Sequence, residues 1–433
     1  MADSSSYVRI VPPSSEGVVS GLPIELIRET RRSLKLPDSR PVIATGHAPM
    51  RWHPGIVTKF MAMRVLSQER QATPLVLNID TVAGDPGLIE VPFLDADGLP
   101  CSSTFRLFES SPELGLGMQP ATEPVDLQWL SSLADFDITP LERYAESIRT
   151  AGSDLSLASQ LMRAQLNMAR RWAGRPTVLP ASRLLKTACG RWLLDRMQRD
   201  SMRCAQAYNA AVSVDPDAGI RPLDMDAGEL PLWEIRSADR RTARRQDLDE
   251  SNLLPKALVT TAIMRLAGCD LFIHGTGGAR YDALMESWIR EWLGLEVMPF
   301  MVATSDVRLP LPGLEDIARV GQSLVSKDRR AYHDPESNDE AQVGPGPRKQ
   351  AALDSIQSAP RGSDARREAF ASMHETLATL RDVKRQASSE VAGRVRDARR
   401  TTSRRDWDFF FYPEDVMDAL ADDVEKDVLK TIR

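Results

Sequence analysis

The chain has 433 residues, of which 42% are hydrophobic and 27% are charged, and its formal net charge is −6. These values are typical of a globular protein of two or three domains, and the acidic balance disfavours a nucleic-acid-binding protein. Four cysteines without CxxC pairing indicate a reducing compartment and no zinc or disulfide framework. No apolar run reaches the roughly 18 residues of a membrane helix, so we expect a cytoplasmic protein with no signal peptide and no membrane partner.

The first part of the chain, residues 1–124, is typical of half of an α/β core. Residues 1–20 have no clear periodicity and are expected to form a loose arm. Over 41–80 the pattern predicts strand, loop, helix and strand in succession, which is one βαβ unit. A β-hairpin is predicted over 88–108, because two strand-like runs flank an Asp-Ala-Asp-Gly turn.

The middle of the chain predicts a helical insertion followed by the second half of the core. Residues 125–229 are mostly helical in pattern, and residues 230–332 alternate again between strand and helix. Two separated α/β halves predict a single parallel sheet assembled from both. The expected fold class is therefore α/β, with a Rossmann-like parallel-sheet core, a helical insertion and a C-terminal helical or coiled-coil arm.

The C-terminal part begins with a polar segment. Residues 333–364 are rich in Pro, Gly and Ser and are expected to be a flexible linker. Residues 365–433 form a helical region, in which 365–400 carry a narrow apolar stripe between charged residues. A narrow stripe suits a helical hairpin or a coiled coil, so we expect a homodimer through these helices. The aromatic run at 405–412 is expected to pack back before a last helix.

The first candidate site motif runs from Thr45 to Gly55, between a predicted strand and a predicted helix. It contains Thr45, Gly46, His47, His53 and Gly55, and Lys59 follows in the first turns of the helix. A helix N-terminus with histidines and a lysine suits an anionic group. The sequence His53-Pro54-Gly55-Ile56 resembles half of the HxGH turn of the nucleotidylyltransferase and class I synthetase superfamily. The alternative is a tight turn with solvated histidines.

The second candidate motif follows the next predicted strand. Asp80 and Asp85 lie in a turn where that strand ends, at the carboxyl edge of the predicted sheet, where ligands bind in open α/β sheets. Either carboxylate could orient an amine or accept a proton. Ordinary turn chemistry explains the same residues equally well.

The third candidate motif runs from Cys269 to Gly294, where an apolar strand ends in a glycine-rich turn and a helix follows. His274, Gly275, Gly277, Gly278, Arg280 and Tyr281 are predicted to combine an anion-binding backbone with acid–base groups. The glycine spacing differs from GxGxxG, so no dinucleotide site is predicted. The alternative is close packing at the glycines, with Asp282 as a solvated acid of the first turn.

These motifs, taken in order, resemble the bacillithiol-biosynthesis cysteine-adding enzymes. The resemblance rests on three runs: Thr45 to Lys59 for the family's early TGQQ-type turn, Ala83-Gly84-Asp85-Pro86 for its acidic motif, and Leu254 to Leu258 with Phe272 to Tyr281 for its later PRAL and glycine motifs. It implies a Rossmann-like core with a dimerising helical arm. The implied reaction joins cysteine to a glucosaminyl-malate acceptor through an amide bond.

We therefore expect a carbon–nitrogen ligase acting on a small-molecule substrate, with ATP or another nucleotide as the candidate cofactor and no metal. His274, Tyr281 and Asp85 are the predicted catalytic residues. The remaining site residues are predicted to bind the nucleotide or the substrate: Thr45, Gly46, His47, His53, Gly55, Lys59, Asp80, Gly275, Gly277, Gly278 and Arg280. Two alternatives remain open: a non-catalytic dimeric scaffold or binding protein that keeps the fold, and a nucleotidylyltransferase-like enzyme.

Overall fold

The computed structural model describes residues 7–11, 20–128, 137–152, 155–236, 239–247, 250–333 and 347–432. The strands in these ranges are Tyr7–Val11 (β1), Val42–His47 (β2), Thr73–Asn78 (β3), Leu88–Leu94 (β4), Pro100–Arg106 (β5), Thr177–Pro180 (β6), Glu229–Arg236 (β7), Asp239–Arg244 (β8), Leu253–Pro255 (β9), Leu271–His274 (β10) and Phe300–Asp306 (β11). The helices are Ile24–Ser33 (α1), Pro54–Glu69 (α2), Thr139–Ala151 (α3), Leu157–Met168 (α4), Arg170–Ala173 (α5), Ala188–Arg199 (α6), Ser201–Val214 (α7), Ala257–Ile263 (α8), Thr276–Leu293 (α9), Leu314–His333 (α10), Pro347–Ser358 (α11), Asp364–Ser403 (α12) and Glu414–Ile432 (α13).

A six-stranded sheet in the order β1-β11-β10-β2-β3-β6 forms the centre of the molecule. All neighbouring strands from β11 to β6 are parallel, and only β1 is antiparallel. Thr45 of β2 pairs with Ile273 of β10, more than 200 residues away in the chain. The expectation of one parallel sheet built from two separated halves is therefore confirmed.

The order of the parallel strands reverses between β2 and β10. From β2 the chain adds β3 and then β6 on one side, and later β10 and β11 on the other. This is a doubly wound arrangement, in which helices cover both faces of the sheet. Parallel strands buried on both faces carry continuous apolar runs, as β2 does at Val42–Ala44 and β3 does at Leu75–Leu77.

The core has two main parts, one on each face of the sheet. Side chains alternate between the faces along a strand, so Ile43 belongs to one cluster and its neighbours Val42 and Ala44 to the other. The first cluster contains α2, α3, α4 and α13, and the second contains α6, α7, α8 and α9. Helix α2 is buried along most of its length because it packs against both β11 and α13.

Two segments that were not predicted as strands belong to this sheet. Tyr7–Val11, placed in the expected loose arm, pairs antiparallel with β11, because its β-branched and aromatic residues fit an edge strand. Thr177–Pro180, within the predicted helical insertion, joins the sheet beside β3. This strand has four residues and ends in Pro180, so it is too short to show a period.

The second predicted half also contributes a sheet of its own. The first strand of the predicted segment 230–332 is present as β7, but it pairs antiparallel with β8 and β9 in a separate three-stranded sheet. The link from β7 to β8 is too short for the crossover that parallel pairing requires. The hairpin predicted over 88–108 is present as β4 and β5.

The C-terminal region folds back on the rest of the chain. Within the expected linker, residues 347–358 form α11, whose Ile356 is buried, whereas 334–346 lie outside the described residues. The predicted long helix is present as α12 and packs against α10 and α11 of the same chain. Dimerisation through these helices remains a prediction. Every helix in the described ranges is too short or too polar to span a bilayer.

Candidate active site

A cavity of about 820 Å³ opens at the carboxyl ends of β2, β10 and β11. It lies where the strand order reverses, which is the place where doubly wound sheets bind their ligands. Its volume is within the roughly 300–1,000 Å³ of small-molecule sites. The residues from the first and third sequence motifs meet here, although more than 200 residues of the chain separate them.

Two helices on opposite faces of the sheet begin at this cavity. Gly55 and Ile56 of α2 line one side, and Thr276, Gly277 and Gly278 of α9 line the other. The first N–H groups of a helix have no intrahelical acceptor and form the positive end of the helix dipole. The paired N-termini therefore make this cavity suitable for an anionic group.

Gly55 has a packing reason to be glycine. A Cβ at this position would lie 2.9 Å from the backbone oxygen of Ser305 and 2.9 Å from Cε1 of His53. Any larger residue would push α2 away from β11 and displace the His53 ring. The glycine thus lets the helix N-terminus reach the end of the neighbouring strand.

Lys59 is the most deeply buried cation of the cavity wall. Its side chain is carried on α2, the residue is only 5% exposed, and its Nζ donates a hydrogen bond of 2.7 Å to the backbone oxygen of Gly46. Burial lowers the pKa of Lys59 to about 7. This ammonium can therefore attract an anion when protonated and can release its proton near neutral pH.

The two histidines of the first motif also face the cavity. Burial, followed by the nearby Lys59 and His53, holds the pKa of His47 well below its usual value. Burial also lowers the pKa of His53, and the carboxylate of Asp406 partly opposes that effect. Both imidazoles are consequently neutral at physiological pH and can act as hydrogen-bond donors or proton acceptors.

The third histidine belongs to a buried charge network. The Nε2 atom of His274 lies 2.7 Å from Oδ2 of Asp282, and Nη1 of Arg265 donates to the same oxygen at 2.8 Å. Asp282 is fully buried and Arg265 is 1% exposed. Burial alone would raise the pKa of Asp282, but His274 and Arg265 outweigh it and lower the pKa. The ionised carboxylate fixes the imidazole in the way that the carboxylate of a catalytic dyad does.

Tyr281 and the glycines of the third motif complete this side. Tyr281 is 38% exposed and lines the cavity together with Gly275. A Cβ at Gly278 would lie 2.6 Å from Nδ1 of His274. The Nδ1 edge of the ring therefore lies against the first turn of α9, and glycine at this position leaves room for it.

Two residues predicted for the site, Thr45 and Asp80, have structural contacts elsewhere. The hydroxyl of Thr45 donates to the backbone oxygen of Ile273 and joins β2 to β10. The carboxylate of Asp80 accepts hydrogen bonds from the backbone N–H and the hydroxyl of Ser182, at 2.9 and 2.5 Å. Thr45 and Asp80 therefore organise the edge of the sheet and do not line the cavity.

Asp85 and Arg280 also lie outside the cavity. The Asp85 carboxylate accepts hydrogen bonds from Arg106, Ser110 and the backbone of Gly87, so it fixes the base of the β4–β5 hairpin. Arg280 forms a two-pronged ion pair with Asp215 on the surface. These contacts place both residues outside the cavity lining, so the catalytic role of Asp85 and the binding role of Arg280 stay predictions that the cavity does not support.

The cavity also contains charged residues that the sequence reasoning did not select. They are Arg9, Asp282, Asp306, Arg405 and Asp406. The alternative reading of the third motif made Asp282 a solvated acid, whereas the structure buries it fully. Its position four residues after Gly278, on the same helical face, is a sequence feature that could have indicated it. The guanidinium of Arg405 lies 2.6 Å from the carboxylate of Asp306. No local pattern indicates that residues of β1 and of the segment after α12 reach this cavity.

The donor set of the cavity fits a nucleotide better than a metal ion. Within the described ranges, no group of three or more His, Cys, Asp or Glu side chains is arranged to hold a metal. Phosphates would meet the two helix N-termini together with Lys59, His47 and His53. The residues present therefore suit the phosphate groups of a molecule such as ATP.

Comparisons with known proteins add little to this geometry. No family model and no curated protein matches the chain. Among solved structures, it is similar to a tyrosyl-tRNA synthetase complexed with L-tyrosine from Archaeoglobus fulgidus, with 12% identity and a TM-score of 0.25 over 88% of this chain and 98% of the other. It is also similar to a tryptophanyl-tRNA synthetase from Plasmodium falciparum, with 8% identity and a TM-score of 0.25 over 90% of this chain and 96% of the other. Likeness at this level is too weak to support an inference about the chain.

Proposed function

We propose that this protein is a carbon–nitrogen ligase that joins cysteine or a related amino acid to an amino-sugar conjugate, with ATP or another nucleotide as the activating co-substrate. The single observation that carries the proposal is the meeting of Lys59, His47 and His53 with the His274–Asp282 pair in one cavity. The resemblance to the cysteine-adding enzymes supplies the substrate class.

The chemistry of amide formation matches the two sides of this cavity. The carboxyl group of the amino acid must first be activated, and the attacking amine must then lose a proton. Phosphate groups would be held by Lys59 and the N-termini of α2 and α9. His274, oriented by Asp282, would accept the proton of the amine as its nitrogen attacks the activated carbonyl carbon and the phosphate-bearing group leaves. Tyr281, at the same wall, would assist proton transfer.

Turnover by matched histidine variants tests this proposal. We expect the purified protein to release phosphate or pyrophosphate and form an amide product from ATP, cysteine and an amino-sugar conjugate. His274→Ala should lower kcat by about 100-fold or more, the typical loss of a general base, and His53→Ala should weaken nucleotide binding. His374, on α12 and outside the cavity lining, provides the control His374→Ala. Equal activity in all three variants would exclude this site.

A nucleotidylyltransferase is the second candidate. It is favoured by the position of His53, which precedes the first residue of α2 and lines the cavity, as the half-matched HxGH turn requires. Pyrophosphate exchange separates the two proposals. Exchange that needs cysteine supports the ligase, whereas exchange with a phosphorylated acceptor and no amino acid supports the nucleotidylyltransferase.

A further inference from the structure

A second concave surface lies beside β6, away from the candidate active site. It encloses about 640 Å³ between α4, α5 and the exposed edge of β6. We call it the arginine groove and define it by its polar residues and one apolar residue of the edge strand: Ser159, Arg163, Asn167, Arg170, Arg175 and Val178. It shares no residue with the first cavity.

One face of the helical segment builds the polar wall of the groove. Ser159, Arg163 and Asn167 recur every four residues, and Arg170 follows three residues later, so their side chains stack along one helix face. Arg175 reaches the groove from the turn before β6. Ser159 lies in the first turn of α4, where the helix dipole adds partial positive charge.

The charge of the groove is uncompensated within the described residues. Its lining contains three arginines and no acidic side chain. Among the described residues, these guanidinium groups make one hydrogen bond, in which Arg163 donates to the backbone oxygen of Ala151 at 2.7 Å. By contrast, the adjacent Arg171 lies within ion-pair distance of Glu414 and Asp418.

Three cations gathered in a concavity without counter-charges repel one another, so the arrangement costs stability unless an anion binds there. A guanidinium group forms bidentate hydrogen bonds with phosphate oxygens. Several guanidinium groups close together therefore favour an anion with more than one charged group. The volume matches a small molecule rather than a long polymer. We propose that the arginine groove binds a small molecule that carries at least two phosphate groups.

Protection from an arginine-specific reagent tests the proposal directly on the whole protein. Inorganic tripolyphosphate is the probe, and phenylglyoxal modification of each arginine is followed by mass spectrometry. Arg163, Arg170 and Arg175 should be modified at least ten times more slowly when tripolyphosphate is bound, and Arg171 should be unaffected. Protection of Arg405 or Arg9 alone would place the anion in the first cavity and overturn the proposal.

Variants separate the groove from the candidate active site. Because Arg170 and Arg175 are exposed, the double substitution Arg170→Ala and Arg175→Ala should leave the fold intact and weaken tripolyphosphate binding at the groove more than tenfold. Arg171→Ala is the matched control and should bind as the wild type does. Lys59→Met should leave protection of the groove unchanged, so a failed ligase proposal would not affect this result.

Two further probes define the occupant. Citrate should protect the three arginines at least ten times more weakly than tripolyphosphate does, because it carries less negative charge and fewer acceptor oxygens. Equal protection by citrate would overturn the preference for phosphate. Protection by a single-stranded oligonucleotide at much lower concentration than by tripolyphosphate would show that the groove receives a nucleic acid and would overturn the small-molecule proposal.

Discussion

Lys59 couples the candidate site to the stability of the fold. Burial holds the pKa of this amine at about 7, against an ordinary value of 10.5. Between these two pH values the unfolded chain binds more protons than the folded one, so the contribution of Lys59 to the free energy of unfolding becomes more favourable as pH rises. The slope is at most ~1.4 kcal/mol per pH unit, and below pH 7 the contribution is constant and unfavourable.

The substitution Lys59→Met should remove this pH dependence. At pH 6 the variant should be more stable than the wild type by about 1–3 kcal/mol, because a buried charge is replaced by an apolar chain. The difference should shrink as pH rises from 7 to 9. Urea unfolding at four pH values measures it, with the exposed Lys186→Met as the control. A difference between Lys59→Met and wild type that stays constant across this range would contradict the assignment.

Asp282 is predicted to be the residue of this site on which stability depends most. Its substitution by Asn would leave the buried guanidinium of Arg265 without its fully buried carboxylate partner. Breaking a buried ion pair from one side costs about 3–5 kcal/mol. Glu286, which also pairs with Arg265, has a partly exposed side chain, so Glu286→Gln should cost much less. Chemical denaturation of both variants decides this, and equal losses would mean that the network is not organised around Asp282.

At the scale of elements, the start of α9 combines two glycines with different roles. A Cβ at Gly278 would meet Nδ1 of His274, whereas a Cβ at Gly277 would meet nothing within 4 Å. Gly278→Ala should therefore displace the imidazole and cost about 1–3 kcal/mol. Gly277→Ala should be neutral or slightly stabilising, since alanine favours a helix more than glycine does. Thermal unfolding and nucleotide affinity of the pair test the prediction, and similar behaviour of both variants would refute it.

The segment between α12 and α13 forms one wall of the cavity and is fixed by its aromatic residues. The backbone N–H of Phe409 donates to the oxygen of Trp52 at 2.7 Å, and the buried Trp407 lies under the guanidinium of Arg404. Trp407→Ala should destabilise the protein by about 3–5 kcal/mol and expose the segment to proteases. The exposed Phe370→Ala is the control. Proteolysis at an unchanged rate in Trp407→Ala would show that the segment is held by other contacts.

Sequence periodicity was sufficient to predict the elements that are long or that are joined by a short turn. The strands β2, β3 and β10, the hairpin β4–β5 and the long helix α12 are present near the predicted positions, because each has a clear repeat or turn signal. Strands β1 and β6 were missed because four or five residues carry too little pattern. Their place is set by pairing with β11 and β3, which a single sequence does not display.

The candidate site was also predictable only where the position of a residue along its strand is enough to place it. His47, His53, Lys59 and His274 follow strands at the carboxyl edge of the sheet, and topology alone brings such residues together. Asp80 and Asp85 occupy an equally suitable position in the sequence. Asp80 instead accepts a hydrogen bond from Ser182, and Asp85 accepts one from Arg106. These donors are distant in sequence, so a local sequence pattern does not indicate them.

At the scale of the whole molecule, the cavity is assembled from segments that are far apart in the chain. The segments 46–59, 272–282 and 405–406 each contribute to its lining. The first two contain residues of the core clusters on the two faces of the sheet. A ligand that bridges them stabilises the folded state and should reduce local opening in all three at once. ATP is the first ligand to test.

Hydrogen exchange measured with and without ATP should therefore show slower exchange in these three segments together. The β4–β5 hairpin, which contributes no residue to the cavity lining, should exchange at the same rate in both conditions and provides the internal control. Lys59→Met should lose the protection in all three segments, because the proposal has the buried ammonium hold the phosphates between the two helix N-termini. Protection confined to 46–59 would mean that the nucleotide contacts only α2 and that the two walls of the cavity do not act on one ligand.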